Sequence, residues 1–356
     1  MITQVHDKVS DAEYIDRILH IKKQQDTQLV ILAHYYQRKE IQKLADIRGD
    51  SYELSRKASQ VMDARHIVFC GVHFMAQSAA TLCRDNQIVH LPALNAGCPM
   101  SDMAHIDEVS RGWDEITKIM PDTKFIPITY MNSTAEIKAF CGERDGIVCT
   151  SSNGDKILNW ALRQGEKIFF FPDEHLGRNM ANHLGIPRDQ MTVWDPKAEP
   201  SYESLDALKR AKIILWKGFC HVHTFFKSKH IEAIREMLPG VVVIVHPECT
   251  EEVLALSDLS GSTSFIENYC REAPDGAKIA IATEVNMIDK LADQYPTKTI
   301  VEVRRSLCPN MYKNNLRNLT ETLEGLGSHN IVTIPDQIRK YARTALLRMI
   351  EVTENN

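Results

Sequence analysis

Four elements recur in the same order three times along this chain, so any fold it adopts must contain three copies of one unit. A run fit for a buried strand ends in a ring and, two residues on, a second polar group: "LVILAHYYQ" gives His34 and Tyr36, "TKFIPITYMNST" gives Tyr130 and Asn132, and "VVVIVHPECT" gives His246 and Glu248. A hydroxyl in a turn follows, Ser51, Ser151 and Thr263, at 17, 21 and 17 residues from the ring. Next comes a strand with a polar end, at His73, His175 and Glu284. The last element is a strand running into cysteine, Cys98, Cys220 and Cys308, at 64, 90 and 62 residues from the ring.

The β-rich runs alternate with helix-like segments, the pattern of an α/β fold with parallel strands. At 356 residues the chain exceeds the size of a single core, which stops growing at roughly 250–300 residues. The expected architecture is three similar three-layer αβα units with parallel sheets around a pseudo-threefold axis. They divide as 1–104, 105–223 and 224–312, with a C-terminal helix, 313–356, joined to the first unit. The middle copy carries an insertion of about 25 residues, read as a polar loop from Asp195. Behind Pro335, the helical spacing of Ile338, Tyr341, Ala342, Ala345, Leu346 and Met349 predicts an amphipathic helix packed on the body. A similar helix is expected after Asp11.

The formal net charge of −5 gives no basic footprint for nucleic acid. No run approaches the roughly 18 apolar residues that span a bilayer, and the N-terminus lacks the apolar segment of a secretion signal. The expected location is the cytoplasm, where thiols stay reduced and cysteines serve as ligands, nucleophiles or small core residues.

In parallel α/β units, ligands sit beyond the carboxyl ends of the strands. Three units around one axis aim those ends at a shared cavity, walled by the rings and their polar neighbours. The same geometry gathers Cys98, Cys220 and Cys308. Three thiolates can hold zinc, or three irons of a [4Fe–4S] cluster, in both cases leaving an open position, and spacing alone does not choose. His34, His223 and His246, with Tyr36, Tyr130 and Glu248, can donate or accept protons. Ser51, Ser151 and Thr263 fit either helix caps or, if they open helices, a site for carboxylate or phosphate. Cys70, Cys83, Cys141, Cys149, Cys249 and Cys270 lack repeat partners and read as small buried side chains. His73 and Tyr35 read as structural.

These residues stand in "AHYYQ", "GDS", "TYMNST", "VCTSSN", "GFCHVHTFF", "HPEC", "GST" and "CPNM". In this order, from about residue 28 to 315, the chain resembles the quinolinate synthase family. The resemblance implies condensation of iminoaspartate with dihydroxyacetone phosphate to quinolinate, phosphate and water in de novo NAD biosynthesis. It implies one [4Fe–4S] cluster on Cys98, Cys220 and Cys308, with the fourth iron open as a Lewis acid. It also implies a pocket lined by His34, Tyr36, Ser51, Tyr130, Asn132, Ser151, His223, His246, Glu248 and Thr263, and an L-aspartate oxidase as upstream supplier. Glu248 and Tyr36 are the expected acid/base pair, with His34, His223 and His246 as orienting hydrogen-bond partners. The family often shows Glu where this chain has Gln77, so a charge there is not carried over. Two other readings use the same cysteines: a zinc-dependent lyase or aldolase, and an iron–sulfur sensor, against which the absence of a basic helix or tail counts.

Overall fold

The computed structural model describes residues 9–198 and 201–355. Residues 1–8 of the first assigned unit, 199–200 of the insertion and residue 356 lie outside the described residues. Three parallel sheets are present, each flanked by helices. The first runs Ile47–Gly49, Leu29–His34, His66–Cys70, Ile88–His90 in spatial order, and the third runs Leu259–Ser260, Val242–Val245, Lys278–Ala282, Thr299–Glu302. The middle sheet keeps that order with Ile147–Cys149, Phe125–Tyr130, Lys167–Phe171 and Ile213–Trp216, then adds Met191–Trp194 at its edge. In each unit the first strand in sequence lies second in the sheet, buried between its neighbours. This explains why those runs read as continuous apolar stretches rather than alternating ones.

The insertion corrects the loop expected from Asp195. It supplies the edge strand Met191–Trp194, paired in parallel with Ile213–Trp216, and the helix Tyr202–Arg210. Ser201 caps that helix by accepting from the Ser204 N–H, and Ser204 Oγ accepts from the Ser201 N–H in return. Among its described side chains only Leu208 is buried, with Leu205 half-buried, so its narrow apolar stripe is hidden in a polar sequence.

The helix after Asp11 spans Asp11–Gln25 and packs on Leu316–Glu324 beside the first sheet. The terminal helix Asp336–Glu354 buries Ala342, Ala345, Leu346, Met349 and Val352. It lies across Ala135–Glu143 and Ile147–Cys149 of the middle unit. It also reaches the first unit, where Arg343 donates to the Thr81 and Leu82 carbonyls. One continuous apolar core joins the first and middle units through residues such as Leu54, Phe69, Phe169 and Trp216. The third unit has its own core on both faces of its sheet, and Tyr35 of the first unit is packed into it. No helix of the described residues is long and apolar enough to cross a membrane.

Candidate functional site

The strand ends of all three units open on one cavity. Its wall contains His34, Tyr36, Ser51, Cys98, Tyr130, Asn132, Ser151, Cys220, His223, His246, Glu248, Thr263 and Cys308, together with Asp50, Val72, Phe74 and Met311 among others. Every site residue named from sequence therefore faces the same space.

One side is a hydrogen-bonded chain of rings. Tyr130 donates to Glu248 Oε1 at 2.6 Å. His223 Nδ1 lies 3.1 Å from Glu248 Oε2, and because a carboxylate only accepts, that nitrogen carries the proton. His223 Nε2 then faces the hydroxyls of Thr283 at 3.2 Å and Tyr36 at 3.4 Å, which lie 2.7 Å from each other. Glu248 and Tyr36 are thus not paired directly but joined through His223. Burial pushes the Glu248 pKa up, yet His223 and the hydrogen bond from Tyr130 outweigh it and hold the carboxyl below the ordinary range.

His34 and His246 repeat one arrangement. In each, ring Nδ1 accepts from the backbone N–H two residues on, Tyr36 at 3.1 Å and Glu248 at 3.3 Å. That fixes the neutral tautomer with the proton on Nε2. Burial depresses both imidazoles to about 3, so the 3.6 Å approach of His246 to Glu248 is not an ion pair at neutral pH. His223 and His246 stack at 4.3 Å with planes 16° apart, a close approach that one neutral ring permits.

The hydroxyls are not caps. Asp50 and Ser262 cap the helices Ser51–Gln60 and Thr263–Glu272, accepting from the Glu53 and Phe265 N–H groups. Ser51 and Thr263 are the first helical residues, which leaves their hydroxyls facing the cavity. Ser151 stands in the turn ahead of Gly154–Gln164, where Asn153 Oδ1 accepts from the Thr150 N–H. Asn132 Oδ1 is buried without a hydrogen-bond partner in the protein, a polar atom aimed at something the cavity receives.

The cavity is also lined by the three cysteines, each opening a helical turn, with Cys220 beside His223 and Glu248. Cys98 and Cys220 occupy the N-cap positions of Pro99–Asp102 and His221–Thr224, and the Tyr312 N–H donates to the Cys308 carbonyl at 3.3 Å. Backbone N–H groups of Ser101 and Met100 point at the Cys98 sulfur, Val222 at Cys220, and Met311 and Asn310 at Cys308. Burial nevertheless pushes Cys98 up to about 12 and raises Cys220 and Cys308, so three thiolates persist only with a cation among them. The loops are laced to one another: Lys313 donates to the Asn95 carbonyl at 2.6 Å, Trp216 to Met103 at 2.7 Å, and Ser306 to Val222 at 2.8 Å. As a set the three sulfurs do not lie within 4.8 Å of one another; the described group that does is Cys220, His223 and Glu248. A single zinc would draw its thiolates to about 3.8 Å.

A family model described as Quinolinate synthetase A protein matches residues 16–351. The chain belongs to the quinolinate synthetase A family. Curated relatives named quinolinate synthase include one from Bacillus cereus (strain G9842), 44% identical over 356 residues, covering 99% of this chain and 96% of the relative. Another, from Bacillus anthracis, is 43% identical over 356 residues with the same coverage, 99% and 96%. Gln77 lies off the cavity and its Oε1 accepts from the Ala135 N–H at 3.1 Å, work an amide oxygen does without charge.

One reading from sequence needs correction. The residues that follow the third strands in register are the N-cap positions Val72, Asp173 and Glu284, not the series His73, His175, Glu284. His73 lines a neighbouring pocket, and His175 and Arg178 group with Glu174 outside the cavity. Thr283, which bridges Tyr36 and His223, was missed; it precedes Glu284 in "IATEV", at the end of a strand the repeat had marked.

Proposed function

We propose that this chain is a quinolinate synthase, condensing iminoaspartate with dihydroxyacetone phosphate to form quinolinate, phosphate and water. The observation that carries the reading is one cavity lined by three cysteines, one from each unit, together with acid/base rings and helix-opening hydroxyls. Three half-buried cysteines whose sulfurs are not gathered as a set within 4.8 Å, with no fourth cysteine among the lining residues, support a [4Fe–4S] cluster on Cys98, Cys220 and Cys308. When bound, its iron without protein sulfur supplies Lewis acidity toward a substrate oxygen.

The remaining work falls to the chain. Ser51 and Thr263, at helix N-termini, bind carboxylate or phosphate through hydroxyl and backbone N–H groups, and Asn132 and the Nε2–H groups of His34 and His246 orient the substrate. Glu248 acts as base through its carboxylate. Protons pass between it and Tyr36 along His223, whose Nδ1 faces Glu248 and whose Nε2 faces the Tyr36 and Thr283 hydroxyls. Iminoaspartate, an oxidation product of aspartate, would be supplied by an L-aspartate oxidase in the same cytoplasm.

The test is anaerobic purification with iron and sulfide analysis and a visible spectrum, then addition of both substrates. The expected result is about four irons and four sulfides per chain with quinolinate formed. Colourless, zinc-loaded protein would remove both cluster and reaction; brown protein that binds substrate without turnover would favour a sensor.

A further inference from the structure

After each first strand the chain makes a turn in which a single residue projects into the cavity: Tyr36, Asn132 and Glu248. On either side of that residue stands a carbonyl that no strand pairs. In each unit one buried side-chain nitrogen donates to both. Gln42 Nε2 reaches the Tyr35 and Gln37 carbonyls at 2.8 and 2.7 Å. Lys138 Nζ reaches the Met131 carbonyl at 2.8 Å and that of Ser133. Asn179 Nδ2 reaches the Pro247 and Cys249 carbonyls at 2.9 and 2.8 Å.

We infer that Gln42, Lys138 and Asn179 are positioning residues, a clamp repeated in three units that fixes the backbone on both sides of the residue presented to substrate. The inference rests on the function proposed above for what the turns present, and on geometry alone for the clamps. Three different side chains meet one requirement, which rules out a role peculiar to any of them. Gln42 and Lys138 occupy the same place in the repeat, eight residues after the ring at His34 and Tyr130. The third unit has Leu254 at that place and borrows its donor from Asn179 in the middle unit's helix Glu174–His183, which ties the position of Glu248 to the neighbouring unit.

The common requirement is two N–H groups on one nitrogen, not a charge. Lys138 is fully buried without a carboxylate partner, beside the Phe74 ring at 5.5 Å. Burial pulls its pKa down to about 7. A neutral amine still donates twice, as an amide does. The Met131 carbonyl also accepts from the Ser133 N–H at 2.8 Å, but a buried carbonyl left with no donor costs about 1–3 kcal/mol, so a turn that loses its clamp rearranges and carries the projecting residue with it.

The test exchanges clamps. Lys138→Met removes both donors, Lys138→Gln copies the first unit into the second, and Gln42→Lys does the reverse. Expected in the quinolinate assay is at least a tenfold loss of kcat/KM for Lys138→Met at unchanged iron content, with both exchange variants within threefold of the parent. Parent-like kinetics in Lys138→Met would overturn the clamp, as would a Lys138→Gln enzyme as poor as Lys138→Met. Should Lys138→Met not fold, Asn179→Leu poses the same question at Glu248. Hydrogen exchange separates this proposal from the function: if the parent makes no quinolinate, the function fails, yet faster exchange over residues 130–133 in Lys138→Met still supports the clamp, and unchanged exchange rejects it.

Discussion

At the scale of the residue, the cavity is held together by groups kept in their less solvated protonation states. His34 and His246 are neutral because charging them inside the protein is expensive, and both fall to about 3 against an unfolded value of 6.5. A folded pKa below the unfolded one means that the unfolded chain takes up the proton first, so each ring costs stability as pH falls from about 6.5 toward 3. Glu284, pushed up to about 8 by burial, works the other way and gains stability on acidification between 8 and its unfolded value of 4.5. The histidine contribution is therefore best read as a difference. Between pH 6.5 and 5.5, His34→Gln should lose about 1 kcal/mol less than the parent, measured in urea titrations at the two pH values. Parallel curves would mean that the imidazolium forms inside the fold without penalty.

At the scale of the element, the terminal helix gives the sharpest test of packing. Gly142 lies where Ala135–Glu143 crosses Asp336–Glu354, and a methyl group there would collide with the Tyr341 carbonyl. Gly142→Ala should lower the melting temperature, at a cost of about 1–3 kcal/mol, although alanine is the better helix former; a raised melting temperature would show that the crossing is looser than it looks. The predicted apolar positions of this helix were legible because burial leaves a 3.6-residue trace in sequence. Its partner was not, since the stripe states that a face is covered without saying by what. The same distinction runs through the site. His34, Tyr130 and His246 could be read because a core strand ending in a ring is unusual, and the cysteines because they recur. The insertion's helix could not, its apolar residues being too few to interrupt a polar run. Nor could the clamps be found: one amide, one amine and one borrowed asparagine share a function but no residue type.

At the scale of the molecule, each unit contributes one cysteine and one polar pair, so the site exists only when all three units close on it. Replacing Cys98, Cys220 or Cys308 by Ala should each abolish iron retention and quinolinate formation, whereas Cys70→Ala and Cys270→Ala, packed in buried cores and not lining the cavity, should keep both. Iron counted after anaerobic desalting decides it, and full retention in any of the first three variants would overturn the ligand assignment. The joins between units are as telling as the units. The first and middle units share a continuous apolar core, while the third meets them at the cavity through polar contacts such as Tyr36 with Thr283, Tyr130 with Glu248, and Ser264 with Asp50. One sulfur from each of three repeats has a further consequence when the guest has four equivalent corners. A protein of threefold design can saturate only three of them, so the vacancy needed for chemistry does not have to be carved out by removing a ligand. It follows from the mismatch between the symmetry of the host and that of the guest.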